Sequence, residues 1–240
     1  MHTLLSERGR MKLAIMQPYL FPYLGYFQLI QAVDVFVIYD DVHYIKGGWI
    51  NRNKILLQNK AHLFTLNILG ASSNRLINEV QVGNNQGKLL KTLHQSYAGA
   101  PQFDSVFPII EEILLQPEKN LAKFLAYGLR RLCGHLGLTP QWRTSSSLKK
   151  DNSLRGQDKV IAICEELGAT DYINAPGGKY LYSHEDFTRR GIQLSFIQTI
   201  PVTYRQFGNP FVPNLSIIDT LMFNPPDTAR THILTHYELV

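Results

Sequence analysis

Cysteine is nearly missing: only Cys133 and Cys164 occur in 240 residues, each inside a run with helical apolar spacing. Neither stands at a metal-ligand interval from another Cys, His or Asp, so no metal site is expected. Two thiols on apolar faces fit a reducing, cytoplasmic compartment. No apolar run approaches the roughly 18 to 20 residues that a membrane helix needs, which excludes a helical span. The opening residues, MHTLLSERGR, have neither an apolar core nor a small-residue cleavage site, so they do not read as a secretory leader. Residues 1–10 are expected to be a disordered extension, because patterned sequence begins at Met11. Charge of one sign is scarce as well. The excess is +5, and Lys149-Lys150 and Arg189-Arg190 are pairs, not a stripe. No nucleic-acid-binding signature follows from that, whereas an anionic small molecule suits the balance.

What is present belongs to an ordinary globular chain, 45% apolar and 18% charged, long enough to bury a substantial core. Residues 12–53 organise it. A short apolar run, Leu13 to Met16, leads into the proline-bracketed loop Gln17-Pro18-Tyr19-Leu20-Phe21-Pro22. Helical spacing follows from Tyr23 to about Val33, and a second apolar run, Val35 to Tyr39, ends in Asp40-Asp41. This reads as one βαβ unit with turns set by Pro and Gly. Lys54 to Leu57 and His62 to Leu69 read as an antiparallel hairpin, and Ile77 to Val82 as a further strand. From 87 to 137 the period is helical throughout, predicting an all-helical block. Alternation resumes with strands at Gln141–Thr144, Asp171–Asn174 and Ile192–Gln198, and helices near 153–167, 180–189 and 215–223.

The fold class is therefore α/β: three layers around a mostly parallel sheet, with an inserted hairpin and a helical block at about 87–137. The domain is expected to run from 11 to 226, with a peripheral tail at 227–240 after Asn224-Pro225-Pro226 breaks the last helix.

Ligands of open parallel sheets gather at the carboxyl ends of the strands. Three polar clusters leave such ends, and 17–22, 40–53 and 174–179 are expected to converge on one mouth. Asp40-Asp41 with His43 forms the acid/base candidate, since a carboxylate beside an imidazole fixes its tautomer and raises its basicity. The octet from Lys46 to Asn53 is the most ligand-like stretch. Lys46 and Arg52 can hold phosphate or carboxylate, Trp49 can stack, and Asn51 and Asn53 can orient polar groups. Gln17, Tyr19, Tyr23 and Tyr26 line the first loop. Gly177, Gly178 and Lys179 could cradle an anion on backbone N–H groups. Tyr204, Gln206 and Asp219 are polar residues embedded among apolar ones. The segment from Tyr23 to Tyr26 lies where adenylyl-transferring enzymes place His-x-Gly-His, but here tyrosines replace both imidazoles. No cofactor is evident, although Asp40 and Asp41 could carry Mg²⁺ with ATP.

The order Gln17-Pro18, Phe21-Pro22, Leu24-Gly25-Tyr26-Phe27, Asp34 to Asp41 and Trp49-Ile50-Asn51-Arg52-Asn53 resembles the WbqC-like protein family. So do Gly168-Ala169 to Tyr172, Gly177-Gly178-Lys179, Phe187, Gly191-Ile192, Tyr204 with Gln206, and Leu215 to Asp219. The chain departs from the pattern at Asn224-Pro225-Pro226 and at the Asn-Ala-Pro before Gly177. The resemblance implies a place in bacterial O-antigen or related surface-sugar or natural-product clusters. The activity it suggests is transfer of glycine or a similar amino acid onto a sugar amine. The expected partners are then a nucleotide-linked amino sugar and an acyl donor, which could be a carrier protein or a charged tRNA. The alternatives are a nucleotidyl-transferring enzyme or a non-catalytic sugar-nucleotide binder.

Overall fold

The computed structural model describes residues 9–208 and 210–240, so most of the extension expected at 1–10 lies outside the described residues. The opening unit is β1 (Lys12–Met16), α1 (Leu24–Gln31) and β2 (Val35–Ile38). All four residues of β2 are buried, because both of its faces are covered. Phe36 and Ile38 pack into the core that holds Phe27 and Leu29 of α1. Val35 and Val37 face the second core, built with Val160 and Ile163 of α5 (Gly156–Leu167). The period of two in one strand thus defines three layers.

Further strands β7 (Gln141–Thr144), β8 (Asp171–Asn174) and β9 (Gln193–Thr199) extend the sheet in parallel, and β10 (Tyr237–Leu239) closes one edge antiparallel to β9. The order is β10-β9-β8-β1-β2-β7. The chain builds outward from β1 to β7, then crosses through α5 to β8 on the far side. The reversal falls between β1 and β8, a position at which α/β sheets open a crevice. Inserted between β2 and β7 are the hairpin β3 (Arg52–Leu57) and β4 (Lys60–Thr65), then the pair β5 (Ile68–Leu69) and β6 (Gln81–Val82). The hairpin turns on Gln58 and Asn59, both at positive φ (51° and 58°), the two-residue turn whose twist matches paired strands. The helical block follows as α2 (Gln86–Tyr97), α3 (Phe103–Leu115) and α4 (Leu121–Leu136). After α5 come α6 (His184–Arg189), α7 (Ile217–Phe223) and α8 (Pro226–Thr235). Among the described residues no helix is long and apolar enough to cross a membrane.

Two expectations need correction. The strand expected at Ile77–Val82 is a 3-10 turn over Ile77–Glu79 followed by β6. The Glu79 carboxylate accepts from the Leu76 N–H (2.9 Å), so a local cap outweighs the alternating pattern. Residues beyond 226 are no peripheral tail. Pro226 stands at the first helical position, where a missing N–H costs nothing, and Ala229 and Ile233 of α8 are fully buried. Gln28 of α1 ties the segment down by donating to the carbonyls of His232 and His236 (3.1 and 3.0 Å).

Candidate functional site

The register aligns Met16 with Ile38 and Ile38 with Thr144, so β1, β2 and β7 end level with one another. Past Ile38 the side chains keep alternating. Tyr39 and Asp41 turn toward α5, and Asp40 turns toward the helical block. The segment after β7 meets both carboxylates. Asp40 accepts from the Ser146 N–H (2.9 Å), the Ser146 hydroxyl (2.6 Å) and the Asn78 amide (3.2 Å). Asp41 accepts from the Ser145 hydroxyl (2.6 Å) and from two lysines, Lys150 at 2.8 Å and Lys159 at 3.1 Å.

Both lysine side chains are almost wholly enclosed, at 1% and 4% exposure, and that of Asp41 is at 9%. Lys159 also donates to the Asp41 carbonyl (2.7 Å) and lies 5.4 Å from the Tyr39 ring centroid, while Lys150 donates to the Ser145 carbonyl. One carboxylate between two ammonium groups leaves this buried cluster with a net positive charge. Burial by itself raises the Asp41 pKa, but the bonds from Lys150, Ser145 and Lys159 outweigh it and hold the carboxyl below its ordinary value.

The cluster forms one wall of a cavity of about 460 Å³ whose lining includes Tyr39, Asp41, His43, Asn78, Ser146, Arg155 and Lys159. That volume is in the range of small-molecule sites. Gly156, the first residue of α5, reaches the same lining, and no side chain caps that helix start. The cavity therefore brings Lys159, Arg155 and the first residue of α5 together, with exposed His43 in the same lining.

The other residues singled out from the sequence lie elsewhere. The segments 17–22, 40–53 and 174–179 do leave one sheet edge, yet of their residues only Asp41, Val42 and His43 line this cavity. Tyr26 is buried and donates to the Gln17 carbonyl (2.8 Å). Tyr19 meets its ring edge-on, and burial raises the pKa of both Tyr19 and Tyr23. Asn51 accepts from the Tyr44 hydroxyl (2.8 Å) and donates to the Leu66 carbonyl (2.7 Å). Asn53 donates to the Phe21 carbonyl (2.6 Å), so both amides serve buried backbone. Arg52 donates to the Gly48 carbonyl (2.8 Å), and its guanidinium lies 5.7 Å from the Trp49 ring centroid, as does the Lys54 ammonium. Lys46 is exposed. Gly177 and Gly178 lie in a 3-10 turn over Pro176–Gly178 after β8, with Lys179 as its C-cap, and Gly178 is packed so closely on the Asn174 amide that a Cβ would fall 2.5 Å from it.

Tyr204, Gln206 and Asp219 do come together, in a separate knot. Asp219 accepts from the Tyr204 hydroxyl and the Gln206 amide (2.7 Å each) and from the Tyr97 hydroxyl (3.0 Å). Burial raises its pKa against the pull of those three donors. Sequence reasoning missed Ser145, Ser146, Lys150, Arg155 and Lys159. One signal was present, because Lys159 shares a helical face with Ile163 on the inward side of α5.

The strand order and the cavity beside the carboxyl edge define an α/β protein with a mostly parallel sheet and a pocket lined by Lys159, Arg155 and His43 at the ends of its strands. Residues 17–231 match the WbqC-like protein family, and the chain belongs to that family. It is similar, at 27% identity over 228 residues, to the uncharacterized protein Rv1507c of Mycobacterium tuberculosis, covering 91% of this chain and 97% of that protein. No solved structure matches it.

Proposed function

We propose that the protein is a transferase that moves an acyl or aminoacyl group, of glycyl type, onto the amine of a nucleotide-linked amino sugar. The setting is bacterial O-antigen or related surface-polysaccharide biosynthesis, in the cytoplasm. The supporting observation is the buried Lys150–Asp41–Lys159 cluster with its excess positive charge, set in a ligand-sized cavity beside His43. Lys159 and Arg155 hold the diphosphate, which places the sugar amine near the rim. His43 takes the amine proton as the nitrogen attacks the donor's carbonyl carbon. A C–N bond forms, the bond from that carbon to the donor's oxygen or sulfur breaks, and the leaving atom departs with the electron pair and is protonated.

Asp41 is unsuited to the base role, because a carboxylate held charged by two ammonium groups is a weak proton acceptor. It serves as counter-ion, and Asp40 as the anchor of Ser146 and Asn78. A pre-activated donor makes ATP and Mg²⁺ unnecessary. A nucleotidyl transferase is the second reading, favoured by the order β7-β2-β1-β8-β9, the doubly wound arrangement of nucleotide-binding folds such as the HUP-like adenylyl transferases. The tie between Tyr26 and Gln17 weakens it, since that hydroxyl is already committed.

The test is calorimetric binding of a uridine-diphosphate amino sugar, followed by mass spectrometry for its acylated product. Lys159→Met should lose at least tenfold in affinity, whereas His43→Ala should retain affinity and lose turnover. Pyrophosphate release from a nucleoside triphosphate would favour the second reading instead.

A further inference from the structure

A second and larger hollow lies on the opposite face of the Asp40 carboxylate. It is a groove of about 1170 Å³ between α4 and the ends of β2 and β7, with Ile38, Asp40 and Thr144 contributed by the sheet side. From the helical side, Ala122, Lys123, Ala126, Tyr127 and Arg130 of α4 line it at three-to-four-residue spacing, which puts them on one helical face, and Lys119 joins them from just before the helix. Ala122 and Ala126 are buried at the base of that face, and their short side chains leave the groove open.

The charges along it balance in number, Asp40, Glu112 and Glu118 against Lys119, Lys123 and Arg130, but not in engagement, since Asp40 is already held by Ser146 and Asn78. Glu112 is engaged by Arg131 (2.9 Å) and by the Tyr127 hydroxyl (2.5 Å), and Glu118 accepts from the Asn120 N–H (2.8 Å). Lys119, Lys123 and Arg130 have no carboxylate partner among the described residues, and Arg130 rests with its guanidinium 5.7 Å from the Trp142 ring centroid. An apolar floor beneath unmatched cations suits a thin amphiphilic arm ending in phosphate. A glycyl-sized group would leave most of such a volume empty.

The groove and the smaller cavity are separated by little. Asp40 lines the groove, while Asn78 and Ser146, which are hydrogen-bonded to it, line the cavity. Two ligands reaching that partition from opposite sides would have only the Asp40, Asn78 and Ser146 side chains between them.

We propose that the groove holds the acyl donor and that this donor is a phosphopantetheine thioester, an assignment that rests on the transferase reading above. The phosphate end lies along Lys119, Lys123 and Arg130, the pantetheine arm runs over Ala122 and Ala126, and the thioester reaches Asp40. The sugar amine attacks the thioester carbon from the cavity side once the Asn78 and Ser146 side chains release Asp40. The C–N bond forms, the C–S bond breaks, His43 receives the amine proton, and the departing thiolate is protonated from solvent. Asp40 is a positioning residue in this scheme.

The two tryptophans, Trp49 and Trp142, make the groove observable without turnover. In full-length Trp49→Phe protein, coenzyme A should change the Trp142 emission saturably as Arg130 leaves the ring for phosphate. Arg130→Ala and Lys123→Ala, both on the exposed face and titrated by calorimetry because the first also removes the contact with Trp142, should each weaken binding about tenfold, the effect of one charged hydrogen bond. Ala126→Phe should abolish it by filling the groove. Adenosine 3′,5′-bisphosphate, which lacks the arm, should bind at least tenfold more weakly than coenzyme A. A phosphopantetheinylated carrier peptide that binds as well as coenzyme A points to a carrier domain as the source, and coenzyme A alone points to the free thioester. No saturable response at millimolar coenzyme A, or equal binding by the armless nucleotide, overturns the assignment. Uridine diphosphate provides the separation from the transferase reading. If it binds while coenzyme A does not, only the groove assignment fails. If coenzyme A binds while uridine diphosphate does not, the sugar-nucleotide reading fails and the groove stands.

Discussion

Lys159 grips Asp41 twice, through the carboxylate at 3.1 Å and through the backbone carbonyl at 2.7 Å. The double contact ties the inward face of α5 to the end of β2. It joins a second buried lysine on the same carboxylate, Lys150 at 2.8 Å. Removing the carboxylate charge leaves two enclosed ammonium groups facing each other. Asp41→Asn should therefore cost about 3–5 kcal/mol of stability, the usual penalty for breaking a buried ion pair from one side. Lys159→Met leaves a neutral Lys150–Asp41 pair, so it should cost less stability while removing anion binding. Urea unfolding and uridine diphosphate titration of the two variants separate these effects, and equal stability losses would argue against the charge-excess account.

Asp41 and Asp219 should pull stability in opposite directions as pH falls. The Asp41 pKa is lowered by folding, so its contribution is complete above the unfolded value of 3.8 and is lost as pH drops below that toward the folded value. The Asp219 pKa is raised by folding, so its protonation favours the native state as pH falls through the folded value toward 3.8. Unfolding midpoints taken across the acid range should show wild type gaining on Asp219→Asn as pH falls toward 3.8. Below that value it should lose ground to Asp41→Asn. A single shared trend in both comparisons would show that one of these environments is misassigned.

Phe21 sits at positive φ (44°), rare for a side chain of that size, and its carbonyl collects two hydrogen bonds, from Asn53 (2.6 Å) and Ser216 (2.7 Å). Asn53 thus holds a strained turn in place from the hairpin side. Asn53→Ala should cost about 1–3 kcal/mol, the penalty of a buried polar group left unpaired. Affinity for uridine diphosphate should hardly change, because Asn53 does not line the cavity. A large loss of affinity at undiminished stability would restore the ligand-orienting role that the polar octet suggests.

That octet shows where the sequence stops informing. The apolar run from Val35 to Tyr39, the prolines around Tyr19-Leu20-Phe21 and the Asp-Asp at the strand end were enough to place β1, α1, β2 and the carboxyl edge. A dense run of Asn, Arg and Trp reads the same whether its donors serve a ligand or the protein's own backbone. Only the fold shows that Asn51 and Asn53 are spent on the carbonyls of Leu66 and Phe21. The partners of Asp41 were hidden by distance along the chain. Ser145 is 104 residues away and Lys159 118, brought close only because β7 pairs with β2 and α5 packs on the face to which Asp41 turns. The C-terminal helix was obscured by a rule applied one residue too early, since Pro226 begins α8 where it was expected to end α7.

Gly25 tests the packing of the opening unit itself. A Cβ built there would fall 2.5 Å from the Tyr23 ring and 2.7 Å from the Thr199 hydroxyl oxygen, inside any tolerable contact. The start of α1 is thus pressed against the end of β9, the strand beyond β8 from β1. Ala normally favours a helix over Gly by about 1 kcal/mol, yet here the crowding should win and Gly25→Ala should destabilise by about 1–3 kcal/mol. Thr199→Ala takes away one of the two obstructing atoms, so the double variant should recover part of the loss. A double-mutant cycle read by urea unfolding measures that coupling, expected at about 0.5–3 kcal/mol for groups in direct contact. Strict additivity would mean that the helix shifts as a body to accept the methyl group, and that close approach to β9 is not what requires glycine.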